Sequence, residues 1–330
     1  MLLLPSRRGA SLLLLASQRA YCSTVADPSA GFAKFAINLM RCNQKCFDRV
    51  ADDIMTRKLP PGSKVLDVGA SAGEPSLTIA SRPGDLRVVS TDYAPPNAAI
   101  GLARAKALGL ADKVSFHTTD AQDLSAWSDG EFDAAVGTYV LMFTPDVPQV
   151  CRELHRVLKP GSPLITTVWQ PPPMVDIFGN GLMKMMMTMR EAGDMPMPSP
   201  DGPPPVNPCN LAGAAPDGPL GDALRDAGFV DVKAEEWAYP ICIAGKDMED
   251  VAFRFIEATP FYGDILGVGG QPLLDQAVAL LVSIFKEAGH EMVDLSETVP
   301  EWSGVDNPDG ISKGMLFKTN TCLYISAVSK

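Results

Sequence analysis

Between residues 64 and 168 short apolar runs alternate with helical patterns, and this alternation constrains the fold more than any other feature. The runs are Lys64–Val68, Leu86–Thr91, Val114–Thr118, Phe132–Val136 and Leu164–Val168, and helical spacing fills Asn97–Leu108 and Val147–Leu158. Strands joined by helix-length crossovers make βαβ units, so a mostly parallel sheet with helices on both faces is expected. A helix leads in: Phe32, Phe35, Leu39, Phe47, Val50 and Ile54 recur at near-helical spacing until Pro60-Pro61-Gly62 stops it. No internal repeat is visible.

The first strand runs into Val65-Leu66-Asp67-Val68-Gly69-Ala70-Ser71-Ala72-Gly73-Glu74. In a doubly wound sheet ligands bind beyond the carboxyl ends of the strands, where a glycine turn lets backbone N–H groups approach them. Gly69 and Gly73 occupy that turn. The second strand ends at Asp92, nineteen residues after Gly73, where a carboxylate can accept both hydroxyl protons of a ribose. A nucleoside is therefore the expected ligand. The dinucleotide pattern needs a middle glycine, which the turn Gly69-Ala70-Ser71-Ala72-Gly73 lacks, and this disfavours NAD. Taken alone the glycines also suit an ordinary tight strand-to-helix turn.

Further motifs carry a resemblance to class I S-adenosylmethionine (SAM) dependent methyltransferases, in particular the small-molecule branch with the ubiquinone/menaquinone C-methyltransferases (methyltransferase type 11). Val65–Ala80 resembles the family's first motif, whose turn wraps the amino-acid part of SAM, which assigns Asp67, Gly69, Ala70, Ser71 and Gly73. Asp92 matches the ribose-binding position, with Tyr93 beside the adenine. Thr119–Leu124 is similar to the third-strand motif, in which Asp120 and the following backbone at Ala121 address the adenine edge. Phe132–Thr138 matches the fourth strand with its active-site end at Thr138, and Arg156–Gly161 the turn before the fifth. The resemblance runs from about Phe47 to Gln170 and returns near Asp222–Val232 and in the last strand. It implies a Rossmann-like, doubly wound, mostly parallel seven-stranded sheet with an antiparallel last strand and a helical cap.

The resemblance also implies in-line methyl transfer to a small organic molecule, releasing S-adenosylhomocysteine. The sulfonium is already activated, so the protein mainly aligns nucleophile and methyl carbon and excludes water. A base is needed only for a nucleophile that carries a proton. His155 reads as a solvated helix residue, His117 as structural and His290 as a residue of the variable region, so no catalytic residue is assigned. Tyr139, Met142 and Phe143 border a substrate pocket or pack in the core. The analogy points to a prenylated quinone or phenolic precursor. S-methylation of a small polar thioether acid suits the same cofactor, and a non-catalytic, methyltransferase-like organellar assembly factor is the rival of another class.

Composition narrows the partners. A net charge of −11 disfavours a nucleic-acid surface, and Gly137-Thr138-Tyr139-Val140 stands where amine methylases of nucleic acids place an acidic or amide residue before two prolines. Of seven cysteines only Cys42 and Cys46 are close, without a second pair at zinc spacing, so no metal is expected and the arsenic-methylating relatives fit poorly. No stretch of about 20 apolar residues suggests a membrane span.

Residues 1–24 read as an organellar transit peptide: Arg7, Arg8 and Arg19 stand among serines and leucines, and the first acid is Asp27. Arg19 lies three residues before a cut after Tyr21, a mitochondrial pattern, with a plastid as the alternative. The SAM-binding core is assigned to 25–170, and a Met/Pro-rich flap or linker with helix Met183–Met189 to 171–219. Residues 220–239 return to the core and contain strand Val230–Trp237. A helical substrate cap follows at 240–310, with helices Met248–Ala258 and Leu273–Ala288, and residues 311–330 hold the last strand, Thr319–Val328.

Overall fold

The computed structural model describes residues 42–170, 181–197, 211, 218–257, 259, 261–295 and 311–330. Its strands are β1 (Lys64–Val68), β2 (Arg87–Asp92), β3 (Val114–Thr118), β4 (Ala134–Thr138), β5 (Pro163–Trp169), β6 (Phe229–Ala244), β7 (Glu291–Asp294) and β8 (Lys313–Ser329). The helices are α1 (Gln44–Thr56), α2 (Ser76–Ser81), α3 (Pro95–Ala107), α4 (Val147–Val157), α5 (Leu182–Glu191), α6 (Pro219–Ala227), α7 (Met248–Glu257) and α8 (Phe261–Glu287).

The sheet order is β3-β2-β1-β4-β5-β8-β6. β1 pairs in parallel with β2 on one side and β4 on the other, and β3 and β5 extend the parallel set outward. Chain order thus reverses between β1 and β4, which is where such sheets open a ligand crevice. The strands' own residues explain their burial: Val65, Leu66, Val68 and all of β4 and β5 are buried, as expected for strands covered on both faces. Helix α1 sets Cys46, Val50, Ala51 and Ile54 on one stripe against them, while Phe47 packs on Ala72. Of the lead-in helix, Phe32, Phe35 and Leu39 lie outside the described residues.

Among the described residues eight strands form the sheet, one more than the seven expected. β8 is 17 residues long, far longer than the five to seven residues of the parallel strands it joins. Its second half pairs antiparallel with β5 from Trp169↔Cys322 to Pro163↔Val328, and its first half runs on to pair with β7. β6 follows β8 along the same length, so residues 239 and 240 lie inside one strand rather than between a core and a cap. The register slips between Tyr239 and Ile241, at Pro240, which has no N–H to give the ladder. The fourth strand also starts later than its apolar run, because Phe132 makes only an isolated bridge with Leu158.

Helix α5, within the segment read as a flap or linker, packs in the core. Leu182, Met185, Met186 and Met189 are buried within the main apolar cluster, each such side chain stabilising the fold by about 1.5–3 kcal/mol. Helix α8, contrary to the expectation of no membrane span, is long and apolar enough by length and composition to cross a bilayer. It is two helices meeting at Gly270, whose φ of 63° and ψ of −154° break the hydrogen-bond ladder just before Pro272. Leu273, Leu274, Ala277, Leu281, Val282, Ile284 and Phe285 of its second part pack into the core.

Candidate functional site

The parallel strands deliver their carboxyl ends to one edge of the sheet. There β1 passes into Gly69, β2 ends on Asp92, β4 ends on Thr138, and Asp120 follows β3. Gly69 has a φ of 69°, and a Cβ on it would stand 2.2 Å from Val140 Cγ2, so only glycine fits where the first turn passes the end of β4. The turn is tight. Ala70 N–H donates to Thr91 O at 2.9 Å, and Ala70 O accepts from Gly73 and Glu74 N–H, both at 2.9 Å. Ser71 is also left-handed, at φ 50°.

Asp92 is tied into this turn. Its Oδ2 accepts Ser71 N–H at 2.8 Å, while Oδ1 accepts Ala94 N–H at 2.8 Å and the Asn97 amide at 2.9 Å. A carboxylate offers about four acceptor positions, so three are used by the protein. Accepting both ribose hydroxyls therefore requires one donor to yield, and Ser71, on the turn itself, is placed to do so. Tyr93, next to it, is 73% exposed.

Behind the turn lie two buried carboxylates. Asp67 Oδ2 accepts Ser76 N–H at 3.0 Å and its hydroxyl at 2.6 Å, which ties β1 to α2, and Oδ1 has no partner. Burial pushes its carboxyl up to about 8, against the pull of the Ser76 bonds. Glu74 Oε1 meets Arg104 Nη2 at 3.0 Å, and Arg104 Nη1 reaches Ala72 O at 2.8 Å. Burial raises the Glu74 carboxyl, and Arg104 and Thr78 oppose that. Sequence reasoning missed Arg104. The available signal was its place beside Asn97, Gly101 and Ala105, a stripe of small residues that brings α3 close.

At the third strand, Asp120 is capped by its own loop: Oδ1 accepts Gln122 N–H at 2.9 Å, and Gln122 Nε2 lies 3.2 Å from both oxygens. Ala121 is buried beside it.

Aromatic residues gather beyond β4 and β5. Tyr139, at φ 57°, shares its N–H between Thr167 O at 3.0 Å and Thr167 Oγ1 at 3.2 Å. Its hydroxyl bonds that of Tyr239, which donates to Asn43 Oδ1 at 2.7 Å. Tyr239 has a single proton, so Tyr139 is the donor in the first of these bonds. Burial raises both phenols well above their usual range, which leaves neither ionised as a base near neutral pH. Phe143 is half-exposed and edge-on to Trp169 at 5.4 Å, and Tyr139 lies 6.3 Å from the same ring. Met142 stands behind them, buried, its sulfur accepting Trp169 N–H at 3.4 Å.

The histidines are elsewhere. His155 is not a solvated helix residue: it is half-buried, edge-on to Phe229 at 5.3 Å and against Gly228, where the chain turns from α6 into β6. His117 is exposed beside Ser115, and His290 packs on Phe285 and Phe317. Cys42, Cys46, Cys151, Cys242 and Cys322 are buried, and no metal-binding group of His, Cys, Asp or Glu occurs among the described residues.

The family model described as "Methyltransferase domain" matches residues 66–166, the stretch that builds this edge. Residues 66–166 are a methyltransferase domain. The chain is 35% identical over 125 residues to a demethylmenaquinone methyltransferase of Thermus thermophilus, covering 38% of this chain and 54% of that protein. It is 36% identical over 103 residues to a 2-phytyl-1,4-naphtoquinone methyltransferase of Synechococcus elongatus, covering 31% and 44%. The chain thus spans about half the length of the curated relatives it matches. Among solved structures, the YcgJ protein of Bacillus subtilis aligns over 86% of this chain and 99% of its own, with 15% identity and a TM-score of 0.47.

SAM is the cofactor that the resemblance implies for this methyltransferase domain. The residues present suit it: the Gly69 cradle is closed to any Cβ, Asp67 keeps a buried oxygen without a partner behind the turn, and Asp92 faces the turn with an acceptor position to spare. Asp92 would hold the ribose, the Gly69–Gly73 backbone the amino-acid end, and Tyr93 with the Asp120–Ala121 backbone the base.

Proposed function

We propose that the chain is a SAM-dependent methyltransferase of a small, planar organic acceptor, best matched by a prenylated quinone or its phenolic precursor, working in mitochondria. SAM supplies a methyl group on a sulfonium that needs no further activation. The protein's share is alignment: Gly69 and Asp92 fix the donor at the β1–β4 crevice, and beyond β4 and β5 Phe143 offers an exposed ring backed by Tyr139 and the buried Trp169. The observation that carries the reading is this juxtaposition of an acid-tipped nucleoside site with an aromatic edge. Such rings favour a flat apolar acceptor over a small charged one. Both curated relatives named above carry quinones in their names, which agrees with that choice. With Tyr139 and Tyr239 neutral, the proton that the methyl group displaces from the acceptor leaves to water. The mitochondrial address rests on the arginine-rich, acid-free first 26 residues.

The three protein donors on Asp92 favour one rival, a non-catalytic assembly factor whose nucleoside site is satisfied internally. The experiment supplies methyl-labelled SAM and a mitochondrial extract to the purified protein and partitions the products. Label in the organic phase supports a prenylated acceptor; label in water moves the acceptor to a polar metabolite such as a thioether acid. SAM binding without enzyme-dependent label supports the assembly factor.

A further inference from the structure

Asn320 lies on β8 just past the carboxyl end of β5. The last pair between those strands is Trp169↔Cys322, and Gln170 N–H still reaches Thr321 O, so Asn320 is one step farther toward the ligand side. It is fully buried, and neither its Nδ2 nor its Oδ1 has a hydrogen-bond partner. A primary amide sealed from solvent with both ends unmet opposes folding, and native proteins retain such groups chiefly where another demand is served.

Its surroundings say what demand. Asn320 pairs across the ladder with Tyr239, and directly paired residues point to the same face. That face carries the hydroxyl chain from Tyr139 through Tyr239 to Asn43. Beside the pair, residues 318 and 319 oppose Pro240 alone, because the register moves from Tyr239↔Asn320 to Ile241↔Phe317. Bulges of this kind re-aim side chains and are frequent next to active sites. The ladder is broken at the one place where it presents an unmet amide to the aromatic edge.

We propose that Asn320 is a substrate-recognition residue, its amide donating to a carbonyl oxygen, or accepting from a hydroxyl, of a quinone-type acceptor. An amide offers one donor group and one acceptor, so it serves the oxidised and the reduced ring alike. A sealed site that supplies hydrogen bonds also rejects flat hydrocarbons lacking the oxygen, since they leave the amide unmet. The acceptor reaches Asn320 by parting the side chains that cover it. The inference rests on the methyltransferase reading.

The test compares the full chain with Asn320→Leu and Asn320→Ala variants. Three quantities are read: the melting temperature, SAM affinity, and the affinity for 2-prenyl-1,4-naphthoquinone from quenching of tryptophan fluorescence with S-adenosylhomocysteine bound. Asn320→Leu removes the unmet amide, so the melting temperature rises by about 2 °C or more. SAM affinity stays within about twofold, and the naphthoquinone binds about tenfold or more weakly, as for loss of a hydrogen-bonding group in a dry site. Asn320→Ala, which leaves room rather than filling it, weakens the naphthoquinone as well. Unchanged naphthoquinone affinity in both variants, or no binding of it to the parent chain, overturns the role of Asn320. Naphthoquinone binding with SAM bound but no methyl transfer to any acceptor overturns the enzymatic reading instead and leaves the binding site standing.

Discussion

Arg104 on α3 holds Glu74 at 3.0 Å across the first turn, with both side chains only 5–6% exposed. The same guanidinium takes Ala72 O, so one side chain fixes two points of the segment that borders the cofactor. Breaking a buried pair from one side leaves the other charge uncompensated, at a cost of about 3–5 kcal/mol. Arg104→Met is expected to lower the melting temperature and to weaken SAM binding by about tenfold or more, about 1.4 kcal/mol. Calorimetric titration with SAM checks it; unchanged affinity in a destabilised variant would restrict Arg104 to folding.

Gly69→Ala is expected to abolish SAM binding while most of the sheet survives. The added methyl meets Val140 at 2.2 Å and the backbone sits at a positive φ, so the turn must move away from β4. Adding Val140→Ala removes the clash but leaves the φ penalty, so affinity returns only in part. Full affinity in the single variant would show that the turn does not touch the ligand.

Asp67 gives the protein a pH dependence of defined sign. Its folded carboxyl titrates at about 8, against about 3.9 unfolded, so between those values the native state binds more protons than the unfolded one. Its contribution to stability is fully present below about pH 4 and is lost as pH rises toward 8. Asp67→Asn keeps an acceptor for Ser76 and removes the titration. Urea unfolding at pH 5 and pH 8 should show the parent losing stability relative to the variant, and parallel losses in both would exclude Asp67 as the source.

Much of the parallel half was legible because strand, turn and helix there obey local rules. β3 lies over the residues its apolar run marks, and β2, β4 and β5 differ only by one or two at their ends. The antiparallel half was not, since β6 and β8 extend by pairing with each other over residues far apart in sequence, and β7 exists only because β8 overruns the sheet. The acidic and glycine positions were readable as types. Their partners were not: the Asn97 and Ser71 donors on Asp92, Arg104 on Glu74, and the Tyr239–Asn43 bond all depend on tertiary approach.

The hydroxyl chain makes an asymmetric prediction. Tyr239→Phe removes the middle member and strips partners from both Tyr139 and Asn43, whereas Tyr139→Phe removes only an end. Each lost buried partner costs about 1–3 kcal/mol. Tyr239→Phe should therefore destabilise more than Tyr139→Phe in chemical denaturation, and the reverse order would mean that Tyr239 does not link Tyr139 to Asn43.

Whether the β1–β4 crevice holds SAM for methyl transfer is read from the label passed from methyl-labelled SAM to mitochondrial-extract acceptors by the parent chain and by Asp92→Ala. The parent chain is expected to give enzyme-dependent label in the organic phase, and Asp92→Ala to lose it together with SAM affinity. Equal label with both proteins would contradict that expectation.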